Sequence, residues 1–259
     1  MLRRPDEGAL TLHTDDGVRL DAVHLPPRQD SDLVIVAAHG FTGTWRSPRF
    51  RNIMEVLRGY GGVMSFQFRG HGRSTGLSTL GDREVLDLDA AVVHARGLGY
   101  TKVALLGFSM GSAVVVRYAG LYGDVDAVAA VSGPSRWYYK GTPPMRWLHR
   151  AVELRLGRLV SRTVLRTRIA DGGWAEEPLP PWQAAARISP IPFLVVHGDA
   201  DKYFPVRHAH ELYDAAAEPK ELWIEKGVGH AEAGMTPPVV HRIARWLTAR
   251  VREPKGSST

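Results

Sequence analysis

The chain has 259 residues, 44% hydrophobic and 23% charged, which is the make-up of an ordinary globular protein with a sizeable core. It contains no cysteine, so disulfides, thiolate catalysis and cysteine-held metals are excluded. A net charge of +6 comes with no nucleic-acid-binding motif and reads as a solvated basic surface. No apolar run approaches the ~18 residues of a membrane span, and the first residues lack the apolar centre of a signal peptide, so a cytoplasmic location is expected.

Short apolar runs alternate with longer amphipathic ones, the pattern of strand–helix units around a mostly parallel sheet. Residues 9–14 and 18–25 flank Asp15-Asp16-Gly17 and read as a β-hairpin. Leu33–Ala38 is a continuous apolar run, as expected of a strand covered on both faces. Residues 63–68 form the fourth expected strand. A helix follows over residues 82–96, with Val85, Leu88, Val92 and Ala95 at helical spacing. Residues 102–106 and 127–131 read as strands five and six, with a helix over 112–122 between them. Residues 193–197 and 221–225 supply strands seven and eight, and an amphipathic helix over 239–251 closes the chain. Residues 135–187 break the alternation with aromatics, prolines and arginines and no convincing strand. They read as a helical cap inserted after strand six. The expected organisation is therefore a core of residues 1–134 and 188–250, a cap of residues 135–187 and a flexible tail over 251–259.

Gly107-Phe108-Ser109-Met110-Gly111 is a G-x-S-x-G sequence between an apolar strand and a helix. In that setting the serine sits on a tight turn, and the glycines remove side chains that would collide with strand and helix. A serine hydroxyl needs a base to take its proton, and the base needs an orienting carboxylate. Downstream, His197-Gly198-Asp199-Ala200-Asp201 ends strand seven and offers two carboxylates. Gly227-Val228-Gly229-His230 follows strand eight. Both stretches lie at C-terminal strand ends, where open α/β sheets bind ligands. The stretch after strand six, Val131-Ser132-Gly133-Pro134, offers no carboxylate.

Taken with His39-Gly40-Phe41-Thr42-Gly43 and Arg69-Gly70-His71-Gly72-Arg73-Ser74, these pieces resemble the α/β-hydrolase family from about residue 33 to residue 247. The resemblance implies an eight-stranded, mostly parallel sheet flanked by helices, with Ser109 as nucleophile, Asp201 as acid and His230 as base. It implies an oxyanion hole from the backbone N–H groups of Phe41 and Met110. Asp199 is the rival acid, with a turn-forming role as its other reading. Where many members carry an aspartate two residues before the arginine of the R-G-x-G segment, this chain has Gln67, a structural position.

The expected activity is hydrolysis of a carboxylic ester of a small molecule through an acyl-enzyme, with no cofactor and no metal. A thioesterase, an amidase, a carbon–carbon bond hydrolase and a silent binding protein are the alternatives on the same fold. A dinucleotide-binding oxidoreductase is disfavoured, because the stretch from Gly70 to Gly76 has one residue too many for G-x-G-x-x-G. His39, His71 and His197 read as structural histidines. In the cap, Trp137, Tyr138 and Trp147 are candidate pocket residues. Arg155, Arg158, Arg162 and Arg166 fall on one helical face, a docking stripe or a solvated surface. Oligomeric state is not legible.

Overall fold

The computed structural model describes residues 8–253, the side chains of Ala151 and Arg155 excepted. Eight strands form one sheet: β1 (Ala9–His13), β2 (Arg19–Leu25), β3 (Leu33–Ala38), β4 (Gly62–Phe66), β5 (Lys102–Phe108), β6 (Ala127–Val131), β7 (Phe193–Gly198) and β8 (Lys220–Glu225). Their spatial order is β1-β2-β4-β3-β5-β6-β7-β8. The expected hairpin pairs β1 with β2, and β2 also pairs antiparallel with β4. From β4 to β8 every pairing is parallel.

Strand character follows position. In β3 all six residues are buried, and alternate side chains feed opposite faces. Val34, Val36 and Ala38 join one core, Leu33, Ile35 and Ala37 the other. The first core is covered by α2 (Glu84–Gly97), α3 (Met110–Tyr122), α6 (Pro181–Ala185) and α7 (Arg207–Ala215). The second is covered by α1 (Pro48–Leu57), the single turn α8 (Ala231–Gly234) and α9 (Pro237–Arg252). α1 and α7 were not anticipated. α1 starts on a strong local signal all the same: Ser47 accepts from Phe50 N–H at 3.2 Å, and Pro48 occupies the first helical position. α9 runs through Arg252, two residues into the expected tail, and residues 254–259 lie outside the described ones.

Between β6 and β7 the chain forms α4 (Pro143–Glu153), α5 (Arg155–Thr163) and α6. Within this stretch the described residues form no strand. Two isolated bridges, His71 to Thr167 and Ser78 to Ile169, tie it to the body. α6 packs against α3 and α7 and belongs with the body, so closely that a Cβ on Gly120 would lie 2.4 Å from the Ala184 carbonyl oxygen. Trp182 N–H donates to the Ser135 carbonyl at 3.0 Å, which draws together the two chain segments that enter and leave the insertion. The four arginines expected on one helical face do not share it. Arg166 lies beyond the end of α5 with φ of 51°, Arg158 turns inward, Arg162 is exposed, and the Arg155 side chain is not described.

Candidate active site

Ser109 sits between β5 and α3 with φ 51° and ψ −115°, a conformation that costs energy for any residue with a Cβ. Close packing around it explains the flanking glycines. A Cβ on Gly107 would lie 2.3 Å from Gly111 O, and one on Gly111 would lie 2.5 Å from both Ala38 O and His39 O. The bend aims the Ser109 hydroxyl away from the sheet, towards the loops that follow β7 and β8.

His230 follows β8 and its Nε2 lies 2.9 Å from Ser109 Oγ. Its Nδ1 lies 2.7 Å from Asp201 Oδ2. Asp201 follows β7, and its other oxygen accepts from the N–H groups of Tyr203 at 2.8 Å and Phe204 at 3.1 Å. Burial works to raise the Asp201 carboxyl. The hydrogen bond and charge of His230 and the two N–H groups outweigh it and hold the carboxyl below its ordinary value. Asp199 points elsewhere: it is exposed, and its Oδ1 accepts from Gly227 N–H at 2.6 Å, the turn role that was its other reading.

Phe41 and Met110 both line the same cavity as Ser109. Met110 is the first residue of α3, so its N–H has no acceptor within the helix. The peptide plane that carries Phe41 N–H is held from its carbonyl side. Gly40 O accepts from His39 Nδ1 at 2.7 Å and from Gly43 N–H at 2.9 Å. A trans peptide points its N–H opposite to its carbonyl, so these bonds set the direction of Phe41 N–H.

His39, His71 and His197 each bond to the main chain of a neighbouring loop. His39 Nε2 accepts from Phe68 N–H at 3.2 Å. His71 Nε2 accepts from Thr42 N–H at 3.3 Å while its Nδ1 donates to Arg69 O at 3.0 Å. His197 donates to Phe204 O at 2.9 Å, just behind Asp201. Gln67 is also structural: it donates to Thr44 Oγ1 at 2.5 Å and accepts from Arg73 N–H at 2.9 Å, bridging the loops after β3 and β4. Burial drives the His39 imidazole down to about 3, and nearby His71 adds to this. His39 is therefore neutral when folded, while its unfolded counterpart takes a proton near pH 6.5. The stability that depends on neutral His39 is complete above that pH and is lost as the pH falls towards 3. We expect melting curves of the parent to fall more steeply below pH 6.5 than those of His39→Gln, by about one proton or ~1.4 kcal/mol per pH unit. Parallel slopes would show that His39 does not titrate with unfolding.

Two further residues support the site and were not anticipated. Ser132, in the strained φ 50° conformation after β6, accepts from Ala231 N–H at 3.0 Å and so pins the residue beside His230. Glu232, two residues past His230, accepts from Gly40 N–H at 2.7 Å. It ties the loop carrying the histidine to the loop carrying Phe41. Deleting that acceptor leaves a main-chain donor unsatisfied, at a cost of ~1–3 kcal/mol. Glu232→Ala should lower kcat by about 10- to 100-fold with little change in KM, while Glu232→Gln keeps the acceptor and most of the rate. Equal losses in both variants would point to the charge instead.

A cavity of about 450 Å³ opens beside Ser109, walled by Phe41, Met110, Met145, Leu148, Val152 and Phe204 and also by Trp137, Tyr138 and Trp174. Of the three aromatics singled out in the sequence, Trp137 and Tyr138 line this cavity. Trp147 does not. It lies on the outer side of α4 and is 69% exposed, because Met145 and Leu148 take the inward face of that helix. Trp174 was missed, since it lies in an irregular stretch with no periodicity. A second cavity of about 600 Å³ is bordered by His230, Tyr203, Glu232 and Arg49 and shares Phe41 as a wall with the first.

Residues 34–242 match the profile of the alpha/beta hydrolase family. The chain belongs to that family. The chain is 27% identical over 253 residues to a monoacylglycerol lipase of Mycolicibacterium smegmatis, covering 83% of this chain and 86% of the lipase. It is 26% identical over 227 residues to the uncharacterized protein YfhR of Escherichia coli strain K12, covering 84% and 71%. Among solved structures it is similar to the Pyrococcus furiosus esterase Pf2001, at a TM-score of 0.75 and 22% identity over 96% of this chain and 95% of that one. At that identity the likeness shows the α/β-hydrolase fold alone.

Proposed function

We propose that this α/β-hydrolase is a serine hydrolase that cleaves carboxylic esters with an apolar acyl group. The reading is carried by the continuous hydrogen-bonded line from Ser109 through His230 to Asp201, set on a strained strand-to-helix turn. The names of the M. smegmatis lipase and the P. furiosus esterase favour an ester over other acyl substrates.

In this mechanism Ser109 Oγ attacks the ester carbonyl as His230 Nε2 takes its proton. Asp201 keeps the other ring proton on Nδ1, which leaves Nε2 free to accept, and stabilises the imidazolium that forms. Negative charge gathers on the carbonyl oxygen, where Phe41 N–H and Met110 N–H receive it. One such donor is typically worth ~3 kcal/mol in the transition state. The tetrahedral adduct collapses, the C–O bond breaks, and His230 returns its proton to the departing alkoxide. Water then enters, gives a proton to His230, and attacks the acyl-enzyme. Collapse of that second adduct frees the acid and restores Ser109. The acyl chain occupies the aromatic and aliphatic cavity under the cap, and the alcohol lies on the His230 side, in the second cavity.

Turnover of a p-nitrophenyl ester series tests this reading. The lining of the first cavity is apolar, so each buried methylene should add ~0.8 kcal/mol of binding, and kcat/KM should rise about fourfold per methylene from acetyl until the cavity is filled. A profile highest at acetyl would remove the cavity as the acyl site. Labelling of Ser109 by a fluorophosphonate without turnover of any ester would move the substrate to a thioester, an amide or a carbon–carbon bond.

A further inference from the structure

α5 is turned inside out. Leu156, Leu159 and Val160 are spaced i, i+3 and i+4, the pattern that normally faces a core. Here all three are exposed, and so are Val164 and Leu165 just beyond the helix, with Leu156 at 72% and Val164 at 71%. The polar side faces inward instead. Arg158 donates to the carbonyls of Val152 and Glu153, pairs with Asp171 at 2.9 Å and borders the cavity. On α4, which packs against α5, Trp147 is exposed too, while Met145, Leu148 and Val152 line the cavity from the other side.

The same segment carries the chain's excess charge. Residues 141–170 hold seven arginines and one glutamate, a net +6 that equals the formal charge of the whole protein. The glutamate, Glu153, is already taken by Lys140 at 2.8 Å. Arg146, Arg150, Arg162 and Arg166 are exposed around the leucines. Leucine and tryptophan ringed by arginine is the make-up of a helix that lies in a lipid interface, with apolar side chains at the acyl boundary and guanidinium groups among phosphates. A second copy of this chain would bring the same exposed arginines against the first, which disfavours self-association through this face. Among the described residues no helix is long and apolar enough to cross a membrane.

We propose that the outer face of α4 and α5 docks the protein peripherally on an anionic lipid bilayer. The opposite side of α4 walls the cavity beside Ser109, so docking places that wall one helix away from the lipid.

The test is co-sedimentation of the full chain with vesicles of phosphatidylcholine alone or mixed with phosphatidylglycerol. The protein should bind the mixed vesicles at least about tenfold more strongly than the neutral ones, and high salt should erase most of the difference. Leu156→Asp with Leu159→Asp should lower binding to the mixed vesicles by at least about tenfold. Arg162→Glu with Arg166→Glu should remove the preference for phosphatidylglycerol. All these side chains are exposed and none borders the cavity, so far-UV circular dichroism and hydrolysis of a short soluble ester should be unchanged. Sedimentation needs no turnover, and Ser109→Ala should bind as the parent does. Failure of the esterase reading would therefore leave this result standing. No binding to the mixed vesicles, equal binding to both kinds, or binding untouched by the leucine changes would overturn the proposal. So would a dimer in light scattering that the leucine changes dissolve, which would make a second copy the occupant.

Discussion

Ser109→Ala should lower kcat for p-nitrophenyl esters by about 10⁵- to 10⁶-fold and abolish labelling by a fluorophosphonate. Without Oγ no acyl-enzyme can form. In the proposed mechanism the residual rate over water would come from the N–H groups of Phe41 and Met110 and from substrate binding. The change removes one oxygen at a position whose main chain is held independently. Ser109 N–H donates to Val131 O at 2.9 Å, and Ser109 O accepts from Ala113 N–H at 3.2 Å. The variant should therefore melt close to the parent. Its KM should stay close to that of the parent, since the rest of the cavity lining is untouched. Substantial turnover by the alanine variant would remove Ser109 from the chemistry altogether.

Asp201→Asn should cost about 10⁴-fold in kcat with the fold intact. The carboxylate has two separate duties. Oδ1 accepts from Tyr203 and Phe204 N–H groups, and an asparagine oxygen can do the same. Oδ2 accepts from His230 Nδ1, and an asparagine amide there can only donate. The imidazole would be driven to the other tautomer, with its proton on Nε2, where it cannot take one from Ser109. The depressed carboxyl has a consequence for acid conditions too. Because the folded carboxyl lies below its ordinary value, the stability it lends is present above the unfolded carboxylate range and is lost as the pH falls through the folded value. The matching control is Asp199→Asn. Its carboxylate serves the turn at Gly227, and kcat should stay within about twofold of the parent, as for a surface change away from the site. A large loss in Asp199→Asn and none in Asp201→Asn would reverse the assignment.

The parts of the fold visible in the sequence are those where one physical demand dominates. A strand buried on both faces must be apolar throughout, so β3 reads plainly. A serine on a strained turn needs bare glycines where Gly111 meets the carbonyls of Ala38 and His39, so the elbow reads plainly as well. Choosing Asp201 over Asp199 needed family spacing, because the direction of each carboxylate depends on how the turn after β7 folds. Glu232 and Ser132 escaped for a related reason. Each acts through a main-chain N–H far away in sequence, at Gly40 and Ala231, and such partners leave no local pattern. Proximity to His230 was the only available signal for Glu232. In the cap, helical spacing identified the amphipathic faces but not their direction. Inward and outward were exchanged for Trp147, and the arginine row broke where α5 ends at Thr163.

The bond from Trp182 N–H to Ser135 O closes the neck of the insertion. Everything between those two residues leaves and rejoins the body at one point, on neighbouring strands β6 and β7. Ser109, Asp201 and His230, together with Phe41 and Met110, all lie outside it. The insertion supplies Trp137, Tyr138, Met145 and Leu148 to the first cavity, while Phe41, Met110 and Phe204 come to it from the body. The cap nevertheless rests on the loop that follows Asp201, where Thr142 Oγ1 donates to Tyr203 O at 2.8 Å and Tyr139 packs on Phe204, so a cap of another length or lining would be felt at the carboxylate.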